Sequence, residues 1–146
     1  RHVILPGLIN THHHFFQTLC RAHPAARDKE LFPWLTTLYD VWANLDEAQL
    51  ALASELAMVE LLMSGCTTVA DHHYVFSGAL EHAIDVQVET ARRLGVRAAL
   101  TRGSMKLSCV RDAMALTMGR TRALAFCGSI WKTSFISSGG MAEPSA

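Results

Sequence analysis

Three short apolar segments alternate with two helical patterns, and that alternation constrains the chain more than any other feature. The segments are "LINT" at 8–11, "CTTVA" at 66–70 and "VRAALTRG" at 96–103. Apolar strands separated by helices pair in parallel through right-handed crossovers, because adjacent parallel strands need a long connection. The order strand, loop, helix, strand, helix, strand therefore specifies an α/β fold. Three strands cannot close a sheet, and open edges expose unpaired backbone groups. We expect further chain, including a portion upstream of Arg1, or an unusual contribution from residues 109–146.

The helices carry their own punctuation. Asp46 is an N-cap candidate with Gln49 in the capping-box position. Leu52, Leu56, Val59 and Met63 follow at helical spacing, Leu62 widens the stripe, and the stripe is expected to pack inward. Gly65 is a natural stop. The second helix is expected over Ala79–Leu94, with Leu80, Ile84, Val88 and Ala91 on one face and Gly95 at its end. Pro6-Gly7 marks the start of the first strand, which reads as short and buried. Pro24 and Pro33 break the pattern between Cys20 and Asn44, where "ELFPWLTTLYDVWANL" could hold a short helix. Residues 109–131 carry weak signals for a helix followed by a strand, and "SSGGMAEPSA" reads as a flexible tail.

Half of the 146 residues are hydrophobic and 18% are charged, enough for a core. Lysine plus arginine and aspartate plus glutamate balance at 13 each, which argues against a nucleic-acid or anionic-membrane surface. No apolar run reaches the roughly 18 to 20 residues of a membrane span. A cytoplasmic protein with neither a nucleic-acid nor a membrane partner is expected. Cys20, Cys66, Cys109 and Cys127 form no CxxC pair, so neither a structural zinc module nor a disulfide framework is indicated. Cys20 and Cys66 read as small buried fillers.

The eight histidines are unevenly spread: five fall in two clusters, His12-His13-His14 and His72-His73. Residues i and i+2 of a strand point to one side, so His12 and His14 share a face and His13 points away. Two readings stand. The pair is half of a metal site, since neutral imidazole suits zinc and other first-row ions, at a strand end where barrel enzymes collect catalytic groups. Alternatively the three are loop-mouth histidines satisfied by water. Two ligands alone do not close a site that normally needs three or four.

"LPGLINTHHHFFQTLCRA", then "ELFPWL" and "GCTTVADHHY", resemble the amidohydrolase superfamily. The likeness is to the cytosine/guanine-deaminase-like branch that includes 8-oxoguanine deaminases and triazine hydrolases. "HHHFFQTLCRA" and "TRGSMKLS" are closest to the 8-oxoguanine deaminases, and the resemblance spans about residues 3–108. It implies a partial (β/α)8 TIM barrel, first three strand–helix units only, in residues 1–108, followed by a divergent tail at 109–146. It further implies that His12 and His14 bind a divalent metal, zinc before iron. The metal would lower the pKa of a bound water and supply hydroxide for hydrolytic deamination of a small purine-like heterocycle. Gln17 would face the substrate ring, offering one donor and one acceptor.

The later histidines, glutamate and aspartate of that family have no counterpart past Ser108, so the catalytic residues are unknown. The chain is expected to be inactive alone, its tail a frameshifted or mispredicted reading, its parent enzyme a homo-oligomer. Asp71 and His72 are either second-shell supports of the metal histidines or a loop hydrogen-bonding pair. Arg102 is either a substrate contact or a surface arginine. Trp34 and Trp42 either wall the ligand or belong to the core, and Phe15 and Phe16 are expected beneath the site. The alternatives are a triazine-type or S-adenosylhomocysteine-type deaminase, a non-catalytic remnant, and an adventitious metal binder.

Overall fold

The computed structural model describes residues 2–103 and the backbone of a strand at 132–136. The expected 109–131 helix and strand and the expected flexible tail lie outside the described residues. Strands β1 (Leu8–Asn10), β2 (Cys66–His73), β3 (Arg97–Arg102) and β4 (Lys132–Ile136) form one sheet in that spatial order. The first three are parallel, as the alternation requires: Asn10 lies beside Val69, Asp71 beside Leu100, and His73 beside Arg102. β4 was not foreseen. It runs antiparallel to β3, Ser134 opposite Leu100, and gives the β3 edge a partner.

β1 corrects one expectation. Leu8 and Ile9 are 57% and 66% exposed rather than buried. β1 is the sheet's edge, and Val3, Ile4 and Leu5 before it are more exposed still. The backbone at Gly7 runs so close to β2 that a Cβ there would lie 2.8 Å from the Thr67 Cβ and closer still to Thr67 Oγ1 and Cγ2.

Between β1 and β2 lie two short 3-10 segments, Phe15–Cys20 and Pro24–Ala26, and helices α1 (Leu31–Trp42) and α2 (Glu47–Met63). The prolines begin helices here rather than break them. Pro24 opens its 3-10 segment, and Pro33 sits in the first turn of α1, where a missing N–H costs no intrahelical bond. α2 begins with the expected capping box: Asp46 Oδ1 accepts from the Gln49 N–H at 2.8 Å, and Gln49 Oε1 accepts from the Asp46 N–H at 3.1 Å.

The inward face of α2 is a correction. Leu50, Ala53, Ser54, Ala57 and Met58 are buried, whereas Leu52, Leu56 and Met63 are 56%, 38% and 83% exposed. At 100° per residue, the expected stripe lies opposite the buried one. The helix is apolar around most of its circumference, so spacing alone does not say which side meets the sheet. α3 (Ala83–Leu94) starts four residues later than expected, and Gly95 ends it in the left-handed conformation (φ +69°).

Two apolar clusters result. One joins Phe15, Ala57, Met58, Val69, Ala91 and Leu100 between the sheet and α2–α3. The other joins Phe16, Cys20, Leu38, Trp42, Leu50 and Leu80 beneath the 12–45 connection. Cys20 and Cys66 are buried free thiols. Among the described residues, no helix is long and apolar enough to cross a membrane.

Candidate metal centre

β1 ends at Asn10, and the chain then passes over the end of β2, which holds it at three points. The His72 N–H donates to the His13 carbonyl at 2.9 Å. His14 Nδ1 lies 2.7 Å from the His72 carbonyl. The Phe15 N–H donates to Asp71 Oδ1 at 2.6 Å. Behind it, Gln87 Nε2 of α3 donates to Asp71 Oδ2 at 2.8 Å.

These contacts orient the histidines. His12 and His14 lie on one side with ring centroids 4.9 Å apart, edge to face. The His72 ring stacks on His12 at 4.7 Å. A carbonyl only accepts, so His14 Nδ1 carries the proton and Nε2 keeps its lone pair. Burial, opposed by that hydrogen bond, holds the His14 pKa below its ordinary value and keeps the ring neutral, as a metal ligand must be. His13 sits apart from the pair, tilted against Phe15 at 5.1 Å. Burial and then the nearby Arg21 charge lower its pKa. Among the described residues, no third histidine, cysteine or carboxylate completes a metal-holding group. The two imidazoles thus have the donor chemistry of part of a divalent-metal site.

His13, His14, Gln17, Thr18 and Arg21 line a cavity of about 210 Å³. Gln17 Nε2 donates to the Tyr74 hydroxyl at 3.0 Å, and the Tyr74 ring stands edge-on to His14 at 5.1 Å. Neither Trp34 nor Arg102 lines this cavity. Trp34 packs against Trp42 at 5.5 Å, and the Arg102 guanidinium lies 4.0 Å over the Phe76 ring. Phe15 and Phe16 are fully buried below the histidines. Asp71 is fully buried too; it grips the backbone at Phe15 rather than an imidazole. Sequence reasoning missed Tyr74 and Gln87. Tyr74 follows directly on the His72-His73 rim, a signal that was available; nothing in the α3 pattern marks Gln87.

Parallel strands joined by helices, with imidazoles gathered near the carboxyl ends of the strands, define an α/β protein whose histidines sit where barrel hydrolases carry their catalytic groups. The chain belongs to the amidohydrolase family, which it matches over residues 3–143, beyond the Ser108 limit of the motif resemblance. It is 63% identical over 107 residues to an 8-oxoguanine deaminase of Pseudomonas aeruginosa, covering 73% of this chain and 24% of that protein. An isoxanthopterin deaminase from an unknown prokaryotic organism is 45% identical over 103 residues, 69% of this chain and 21% of that one. Among solved structures, a zinc- and atraton-bound mutant of an atrazine chlorohydrolase from Arthrobacter aurescens superposes with a TM-score of 0.62. It is 30% identical, over 66% of this chain and 23% of that one. The chain spans about a quarter of the length of these proteins.

Proposed function

We propose that this chain supplies the strand-end histidine pair of a metal-dependent aminohydrolase that deaminates a purine-like heterocycle, 8-oxoguanine or a close relative. Residues 1–108 are then the first three strand–helix units of its barrel. The observation that carries the reading is the His12–His14 pair, 4.9 Å apart, with the His14 proton fixed on Nδ1 by the His72 carbonyl. The 63% identity to an 8-oxoguanine deaminase supports the substrate class.

His12 and His14 would hold the ion, and zinc is the choice that the zinc-bound chlorohydrolase favours. A bound divalent ion supplies the acidity that ionises water near neutral pH. The residues of this chain do the positioning. His72 fixes the tautomer of His14 through its carbonyl and stacks its ring on His12. Asp71 anchors the backbone just past His14. Gln17 meets the heterocycle edge from the cavity wall.

Cobalt(II) titration of the 146-residue chain tests this, because its visible absorption reports imidazole coordination. The chain should bind cobalt, zinc should displace it, and His12→Ala or His14→Ala should each weaken binding at least tenfold. Affinity that survives unfolding in urea, or that is indifferent to both substitutions, rejects the assignment. Ammonia release from 8-oxoguanine by the chain alone should be negligible, since His12 and His14 make only part of a site.

A further inference from the structure

Three side chains of the cavity wall are held by residues outside it: His14 by the His72 carbonyl, Arg21 by Glu60, and Gln17 by Tyr74. Gln17 lines the cavity, and its amide nitrogen is engaged by Tyr74, which is not among the lining residues. Tyr74 is itself wedged. It stands edge-on to His14 and to Phe16, each at 5.1 Å, and Phe16 is in turn packed edge-on to Trp42 at 5.1 Å. Burial raises the Tyr74 pKa, so the phenol stays un-ionised through the neutral range. Nε2 gives one of its two hydrogens to Tyr74, and the Gln17 carbonyl Oε1 keeps no hydrogen-bond partner among the described residues.

We propose that Tyr74 is a specificity-positioning residue: by hydrogen-bonding the Gln17 amide, it holds that amide at the cavity wall with the carbonyl free to accept from a ligand. The site then selects a heterocycle that presents a ring N–H there, a lactam edge, over one that presents an alkylated or unprotonated nitrogen. The selection follows from the cost of an unpaired polar atom, because an N-alkylated ring leaves the Gln17 carbonyl desolvated without a donor. Tyr74 also touches the His14 ring, so the group that reads the ligand edge and the candidate metal ligand share one support. This inference rests on the cavity being the ligand site of the proposed aminohydrolase.

The test is equilibrium binding to the cobalt-loaded 146-residue chain, with guanine as the probe beside its 1-methyl, 7-methyl and 9-methyl derivatives. One methylation, at the nitrogen that meets Gln17, should weaken binding about tenfold. Tyr74→Phe keeps the ring and removes the hydroxyl, and should shrink that ratio to under threefold while the cobalt spectrum and circular dichroism stay unchanged. Gln17→Leu should shrink it equally, and the double variant should lose nothing further, since both act through one hydrogen bond. In nitrogen-15 NMR spectra, the side-chain amide pair of Gln17 should shift and broaden in Tyr74→Phe. Equal binding of all four purines, an unchanged ratio in Tyr74→Phe, or no purine binding to a chain that does bind cobalt overturns the proposal and leaves the metal assignment standing. Failure to bind cobalt at all removes both.

Discussion

Asp71 accepts a 2.6 Å hydrogen bond from the backbone N–H of Phe15, with both residues fully buried. The bond ties β2 to the chain immediately after His14, across 56 positions of sequence. Removing the carboxylate strands two buried donors, the Phe15 N–H and the Gln87 amide. Asp71→Ala should therefore destabilise the chain by about 2 to 4 kcal/mol. Asp71→Asn retains a carbonyl acceptor and should cost less than the alanine. Urea unfolding of the two variants gives the order; an alanine variant as stable as the parent contradicts the anchoring role.

Two buried groups at this rim titrate in opposition. Burial pushes the Asp71 carboxyl up to about 7 despite its hydrogen bonds, so between about pH 4 and 7 the folded chain keeps a proton that the unfolded chain has lost. Stability therefore falls as pH rises through that window. Burial pushes His73 down to about 4, so between about pH 4 and 6.5 the unfolded chain holds a proton that the folded one lacks, and stability rises. His13 and His14, lowered by burial, act in the same direction as His73. The wild-type profile should rise only gently from pH 4.5 to 6.5. Asp71→Asn uncovers the histidines and should steepen that rise by up to about 1.4 kcal/mol per pH unit. Thermal melts across this range decide it, and parallel profiles for the two chains reject the opposition.

What was legible in the sequence was local or periodic. The Asp46–Gln49 capping box and the parallel order of three strands follow from an offset of three residues and an alternation. His12 and His14 lie past the end of β1, so the closeness of their rings comes from the contacts with the end of β2 and not from strand pleating. The inward face of α2 was not legible, because leucines lie on both of its sides and the sheet chooses between them. Nor was the exposure of β1, which depends on which strands lie beside it. At the site, the histidine pair announced itself. The contacts of Gln87 and Tyr74 span 16 and 57 positions, and no spacing rule reaches that far.

The α2 assignment carries its own test. Leu50 is fully buried, so Leu50→Ala should cost about 2 to 5 kcal/mol. Met63 is 83% exposed, and Met63→Lys should stay within about 0.5 kcal/mol of the parent chain. Midpoints of urea unfolding separate the two by a wide margin. If Met63→Lys proves the more damaging, the leucine stripe first expected to face inward is the packed face after all.

Gly7 and Thr67 make the close approach that lets β1 lie against β2. An alanine Cβ at position 7 would meet the Thr67 side chain, and the 2.8 Å separation from Thr67 Cβ cannot be relieved by a rotamer change. β1 has only three residues, so a displacement there threatens its whole register and, through residues 11–14, the placement of His12 and His14. Gly7→Ala should cost about 1 to 3 kcal/mol and weaken cobalt binding along with stability. Thr67→Ala alone gives up an exposed hydrogen bond from Arg97 and should be nearly neutral. In the double variant the Oγ1 and Cγ2 collisions vanish while the Cβ contact remains, so stability and cobalt affinity should recover in part. A double variant no better than Gly7→Ala would show that the remaining Cβ contact, rather than the Oγ1 and Cγ2 collisions, carries the cost.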